Sequence, residues 1–148
     1  MSTYTQLLYH IIFSTKNREK VLSEKHHKEL FAFIWGILKN KNCYLYQING
    51  IQDHIHIATH IHPTVSISDL VKDIKVSTSM MIKEKNLFPK FNGWQKGYGA
   101  FTYSYEAKEY LINYVKNQKE HHKHLSFVDE YKALLEENHI EYDEKYLF

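Results

Sequence analysis

One cysteine, two prolines and five glycines are scattered through 148 residues, and each scarcity excludes something. Cys43 has no second thiol to pair with, so an internal disulfide is impossible and a reducing compartment is expected. So little Pro and Gly leaves no linker-like or low-complexity tract, and no internal repeat stands out. Neither sign of charge prevails. The formal net charge of +2 permits nucleic-acid binding without the strong basic excess of many dedicated binders. No apolar run approaches the roughly 20 residues of a membrane helix. Met1 to Gln6 lacks the basic-then-apolar pattern of a signal peptide. The expectation is a cytoplasmic protein without membrane contact. It is expected to form a single domain over residues 1–148, with a C-terminal helix and arm from about 123 to 148.

What is present is apolar and aromatic: 43% hydrophobic and 15% aromatic residues, enough to build a core, with eleven histidines and twelve tyrosines. Tyr4 to Ser14 is rich in β-branched and aromatic residues and predicts a strand. Ser23 can cap a helix running to about Lys41, whose stripe Leu30, Phe33, Ile34, Ile37, Leu38 has helical spacing. Cys43 to Ile48 and Ile51 to Ile61 predict two strands joined at an Asn49-Gly50 turn. Ser66 or Ser68 caps a second helix, with Leu70, Val71, Ile74, Met81 and Ile82 inside and Lys72, Lys75 and Lys83 outside. Leu87 to Gly97 predicts an irregular loop and Tyr98 to Tyr105 a fourth strand. Ala107 to about His122 and Phe127 to Glu137 predict further helices. The order β-α-β-β-α-β is that of an α+β, ferredoxin-like split βαβ fold with extra C-terminal helices, one sheet face being left free for binding.

Two segments carry the chemistry. In the third strand, His54 and His56 point to one face, with Ala58, His60 and His62 following, while Ile55, Ile57 and Ile61 point to the other. Imidazoles two residues apart on a strand have Cβ atoms roughly 6–7 Å apart and can share one metal ion, with Ala58 leaving room beside it. Asp53 faces away and reads as a turn residue or a supporting partner. In the helix after the fourth strand, Tyr110, Tyr114 and Gln118 recur every four residues and share a stripe, beside a docking stripe of Leu111 and Val115.

His54-Ile55-His56, preceded by Gly50 and Asp53, resembles the His-hydrophobe-His signature of single-strand DNA nucleases. Tyr114-Val115-Lys116-Asn117-Gln118, followed by His121-His122, resembles the tyrosine motif of the small insertion-sequence transposases, including the repeat-associated single-tyrosine group. Trp94 to Phe101 (WQKGYGAF) and Tyr9 to Lys16 (YHIIFSTK) are similar to the matching segments of that family, so the likeness spans essentially the whole chain. The resemblance implies a transposase in which Tyr114 attacks single-stranded DNA and His54, His56 and Gln118 hold a divalent ion, magnesium or manganese, with no nucleotide cofactor. It implies hairpin-forming DNA as partner, and a homodimer whose active sites are completed in trans. The segment Lys75-Val76-Ser77-Thr78-Ser79 departs from the family's Lys-Gly-x-Ser-Ser pattern, which bears on hairpin recognition rather than on the chemistry.

Lys16, Arg18, Lys20, Lys72, Lys75 and Lys83 are candidates for contacts to DNA phosphates. Phe101, Tyr103 and Tyr105 share a strand face that suits either core packing or stacking on bases. His60-Ile61-His62 repeats the histidine pattern but lacks the preceding glycine turn and aspartate, so it reads as a strand-end feature. His121, His122 and His124, among Lys119 and Lys123, read as a solvated or phosphate-facing helix end. Two rival functions use the same residues: a non-catalytic module for single-stranded nucleic acid, and a zinc enzyme acting on small molecules.

Overall fold

In the computed structural model, which describes residues 2–147, the first strand is β1 (Leu8–Ser14), shorter at its start than the run from Tyr4 predicts. Tyr4 is 89% exposed and pairs with no strand, because the sheet on which β-branched propensity depends does not reach it. After a turn around Lys16–Arg18 comes α1 (His27–Asn40). Ser23 makes no capping bond. A single 3-10 turn, Glu24–His26, stands between it and the helix. Leu30, Ile34 and Leu38, spaced by four, are fully buried, whereas Phe33 sits at the rim of the stripe.

β2 (Tyr44–Gly50) and β3 (His54–His60) form the expected hairpin, but its turn falls elsewhere. Asn49 and Gly50 remain in the ladder, opposite His56 and Ile55, and the chain reverses over 51–53. A side chain at position 50 would meet the His54 carbonyl oxygen at 2.4 Å, so the glycine serves close strand approach rather than a turn. A bulge at Tyr46 shifts the register between Leu45 and Gln47.

α2 (Ile67–Lys85) starts at Ser66, whose hydroxyl accepts the Asp69 amide at 3.1 Å, and ends at Asn86 in a left-handed cap. The irregular loop that follows touches the sheet through a bridge between Thr15 and Trp94. β4 (Gly99–Tyr103) closes an antiparallel sheet of order β2-β3-β1-β4, the ferredoxin-like arrangement. The helical run after it is broken at Asn117 into α3 (Lys108–Lys116) and a single turn, α4 (Gln118–His121). α5 (Phe127–Glu137) has the predicted bounds.

Period two sorts the sheet into two faces. Ile11, Phe13, Ile55 and Ile57 pack with α1 and α2 into the main core. The opposite face is not free. Leu8 and Ala58 pack under Leu111 and Val115 of α3, and Ile12 and Phe101 pack with Phe127, Leu134 and Leu135 of α5. Tyr142 and Leu147, in the expected arm, pack against that second cluster. Met1 and Phe148, the ends of the expected domain, lie outside the described residues. No helix among the described residues is long and apolar enough to cross a membrane.

Candidate active site: histidines, a carboxylate and a tyrosine under the C-terminal helices

The covered face of β3 carries His54 and His56, both fully buried. Each ring is held from behind. Asp53 Oδ1 lies 2.6 Å from His54 Nδ1, and His10 Nε2 of β1 lies 2.7 Å from His56 Nδ1. His10 stands opposite Ala58 in the ladder and stacks on His56 with ring centroids 4.9 Å apart, so the space left by the small residue is filled. The Phe127 ring stacks on His54 at 4.3 Å.

The other ring nitrogens converge on Glu130 of α5. Its Oε1 lies 3.1 Å from His56 Nε2, 3.4 Å from His54 Nε2 and 3.0 Å from His122 Nε2. The Tyr114 hydroxyl donates to the second carboxylate oxygen. Tyr114 is placed there by the docking of Leu111 and Val115, and by Asn49 Nδ2, which donates to the Lys116 carbonyl at 2.8 Å and ties the end of α3 to β2. Gln118, fully buried, donates from Nε2 to the Tyr114 carbonyl at 3.1 Å, and its Oε1 lies 3.1 Å from His122 Nε2. All four residues singled out in the sequence, His54, His56, Tyr114 and Gln118, therefore meet within one chain.

Charge is concentrated here. Burial alone would raise the Glu130 carboxyl, but hydrogen bonds from His122, His54 and His56 outweigh it and hold the group ionised, far below the usual carboxylate range. Burial, and then the Glu130 charge, push the Tyr114 phenol far above its ordinary value, so it keeps its proton. Burial also lowers His56 to about 4 and lowers His10. For His54 the same burial is outweighed by Asp53 and Glu130, and its value rises.

His54, His56, His122 and Glu130 place one ligand atom each within 4.8 Å of one another, a group able to hold a metal ion. Three residues of the cluster, His10, His122 and Glu130, were not expected there. His122 belongs to the site and not to a solvated helix end, because the break at Asn117 and the turn of α4 carry it back over β3. Signals for all three exist in the sequence. His122 extends the Tyr110, Tyr114, Gln118 spacing by four more residues, Glu130 interrupts the buried stripe of Phe127 and Leu134, and His10 sits between Leu8 and Ile12 on the inward period of β1.

The basic candidates are dispersed. Lys16, Lys20, Lys72 and Lys83 are exposed and Arg18 is half-buried. Lys75 is half-buried, and its ammonium donates to the carbonyls of Gln95 at 2.9 Å and Gly97 at 2.6 Å. A cavity of about 300 Å³ bordered by Lys20, Glu24, His27, Lys119 and Lys123, with Lys119 paired to Glu24, opens against His122. His62 closes a local turn with Thr64, Phe101 is core, and Tyr105 is exposed.

Comparison with known proteins agrees with this architecture. Residues 3–118 match the sequence model of the family described as "Transposase IS200 like". The transposases for insertion sequence element IS200 of Salmonella typhimurium and Salmonella typhi are each 26% identical over 120 residues, 78% of this chain and 78% of theirs. Among solved structures, a candidate transposase of Deinococcus radiodurans superposes with a TM-score of 0.61 at 24% identity, covering 80% of this chain and 95% of that one. A repeat-associated tyrosine transposase bound to a REP hairpin superposes with a TM-score of 0.59 at 14% identity, covering 79% and 72%. The chain belongs to the IS200-like transposases, a family of enzymes that cleave DNA and transfer its strands.

Proposed function

We propose that this transposase cuts and rejoins single-stranded DNA by metal-dependent transesterification, with Tyr114 as nucleophile. The observation that carries the reading is the meeting, in one chain, of the Tyr114 hydroxyl and the His54–His56 pair at the Glu130 carboxylate. His54 and His56, with Gln118 beside them, would hold the ion. The fit rests on the converging ring nitrogens and on His54 Nε2, which is buried without a hydrogen-bond partner. A divalent ion bound there supplies charge that polarises the scissile phosphate and offsets the developing charge on the leaving oxygen. Family resemblance favours magnesium or manganese.

The residues divide the work. Tyr114 Oη attacks phosphorus, oriented by its hydrogen bond to Glu130, and releases its proton to water. The bond from phosphorus to the 3′ oxygen breaks, that oxygen takes up a proton from water as a free 3′-hydroxyl, and the 5′ phosphate stays on Tyr114. Rejoining reverses these steps: a new 3′-hydroxyl attacks phosphorus and gives its proton to water, and the Tyr114 oxygen leaves and takes one up. Bond energy is conserved in the phosphotyrosine link, so no nucleotide cofactor is needed. Gln118 fixes the Tyr114 backbone, and Asp53 and His10 fix the imidazoles.

Hairpin-forming element ends with a single-stranded flank are the proposed substrate, as the relative bound to a REP hairpin suggests. Lys16, Arg18 and Lys72 are proposed phosphate contacts, and the cavity lined by Lys20, Lys119 and Lys123 is the proposed approach of the strand. In the homodimer that the resemblance implies, each chain already has its own Tyr114 against its own histidines. The sheet face that a non-catalytic binding module would offer lies under α3 and α5, which gives that alternative no support.

Mixed with manganese and an oligonucleotide carrying a hairpin and a single-stranded flank, the protein is expected to form a denaturant-stable adduct. Tyr114→Phe should form at least about 1000-fold less while binding the hairpin within about twofold. Adduct persisting in the variant removes Tyr114 from its role.

A further inference from the structure

Three imidazole nitrogens and one carboxylate oxygen converge on a single buried space around Glu130. His54 Nδ1 faces Asp53 Oδ1, an acceptor, so that nitrogen donates and Nε2 is the one turned toward Glu130. That Nε2 is buried, has no hydrogen-bond partner and lies 3.4 Å from the Glu130 oxygen. His122 is arranged alike. Its Nδ1 donates to the Leu125 carbonyl at 2.6 Å, which leaves Nε2 facing two acceptors, Glu130 Oε1 at 3.0 Å and Gln118 Oε1 at 3.1 Å. A buried carboxylate ringed by imidazoles needs positive charge among these atoms, which ring protons supply in the free protein and a metal ion can supply in their place.

Building on the metal-dependent reading above, we infer that the ion is held by Nε2 of His54, His56 and His122 and by Glu130 Oε1, so that half of its protein ligands come from the segment beyond the family-matched residues 3–118. Asp53, His10 and the Leu125 carbonyl each occupy the far nitrogen of one imidazole, the arrangement that orients metal-binding histidines. Gln118 stands outside the four: its Nε2 donates to the Tyr114 carbonyl, and its Oε1 faces His122 Nε2 at 3.1 Å. Glu130 therefore joins the nucleophile to the ion through its two oxygens, and α5 is a working part of the site. Three imidazoles with one carboxylate form a borderline donor set that suits zinc, cobalt or manganese better than magnesium.

The test uses the full chain with histidine labelled in ¹⁵N, titrated with Zn²⁺ and followed by the imidazole ¹⁵N–¹H correlation spectrum. One equivalent is expected to shift the Nε2 signals of His54, His56 and His122 together. In competition with a chromophoric chelator, Glu130→Gln should lose at least about 100-fold in Zn²⁺ affinity and Gln118→Ala less than about tenfold. The wild-type spectrum decides even if Glu130→Gln does not fold. An unmoved His122 beside shifted His54 and His56 overturns the inference, as do imidazolium signals at His54 and His122 in a protein that takes up no zinc. A chain that forms the Tyr114 adduct with His122 unmoved loses this ligand set alone. One that takes zinc on all three rings yet forms no adduct loses the proposed reaction and keeps the ligand set.

Discussion

Tyr114 and Glu130 meet through one hydrogen bond that joins α3 to α5 across the covered face of the sheet. The acceptor is ionised and almost wholly buried, and its other oxygen already serves three imidazoles. Removing the donor leaves a charged oxygen with no replacement partner among those described. Tyr114→Phe is therefore expected to lower the unfolding free energy of the metal-free protein by about 1–3 kcal/mol. The reading is a lower urea midpoint at unchanged denaturant slope. An unchanged midpoint would show that water serves Glu130 in place of the phenol.

Two glycines should respond in opposite directions to alanine. At Gly50 the added carbon meets the His54 carbonyl at 2.4 Å, and this contact is backbone on both sides, so β2 and β3 must part next to the site. Gly50→Ala should cost about 2–3 kcal/mol and weaken metal binding with it. At Gly36, inside α1, nothing lies within 4 Å, and alanine should stabilise by about 0.5–1 kcal/mol. Thermal melts of both variants check the pair; equal shifts would mean that the strands part freely at position 50.

The legible parts of this protein are those set by short-range rules. Alternation along 54–60 assigns His54 and His56 to one face and Ile55 and Ile57 to the other whatever else the chain does. Ser126, by capping α5 through the Asp129 amide, marks that helix within a few residues of sequence. The covering of the histidine face was not legible, because it depends on where α3 and α5 dock, a long-range packing that no local period encodes. For the same reason His122 read as part of a solvated or phosphate-facing helix end, and Glu130 was not singled out. The pair Asn49-Gly50 misled in another way: a turn signal was present, but the ladder extends through it because Gly50 lets the strands approach closely.

Lys75 is half-buried, and its ammonium is tied to a loop. Its two carbonyl acceptors, on Gln95 and Gly97, lie in the segment that the Trp94 bridge fastens to β1. Lys75→Met keeps the stem and removes the donor. It should cost about 1–2 kcal/mol and speed amide hydrogen exchange at Gln95 and nearby positions. The salt dependence of hairpin binding should be unchanged, since losing one phosphate contact lowers the slope by about one. A slope reduced by that amount would place Lys75 on the DNA.

The buried histidines also set the acid limb of stability. His56 is lowered to about 4 and His10 is lowered as well, both chiefly by burial, while the unfolded rings titrate near 6.5. The folded state binds fewer protons than the unfolded one over that interval, so stability is complete above pH 6.5 and falls as the pH drops toward 4. His54 works against this, because its raised value adds stability at low pH that is lost as the pH rises through it. Glu130 extends the loss below its ordinary value of 4.5, as protonation removes the acceptor that three imidazoles and a phenol share. Below pH 6.5 His54 is protonated in both states and offsets nothing, so the metal-free protein should lose stability steadily as the pH falls from 6.5 toward 4.5. Urea titrations in the presence of chelator measure this directly. A flat profile over that range would mean that His10 and His56 do not stay neutral and enclosed under the C-terminal helices.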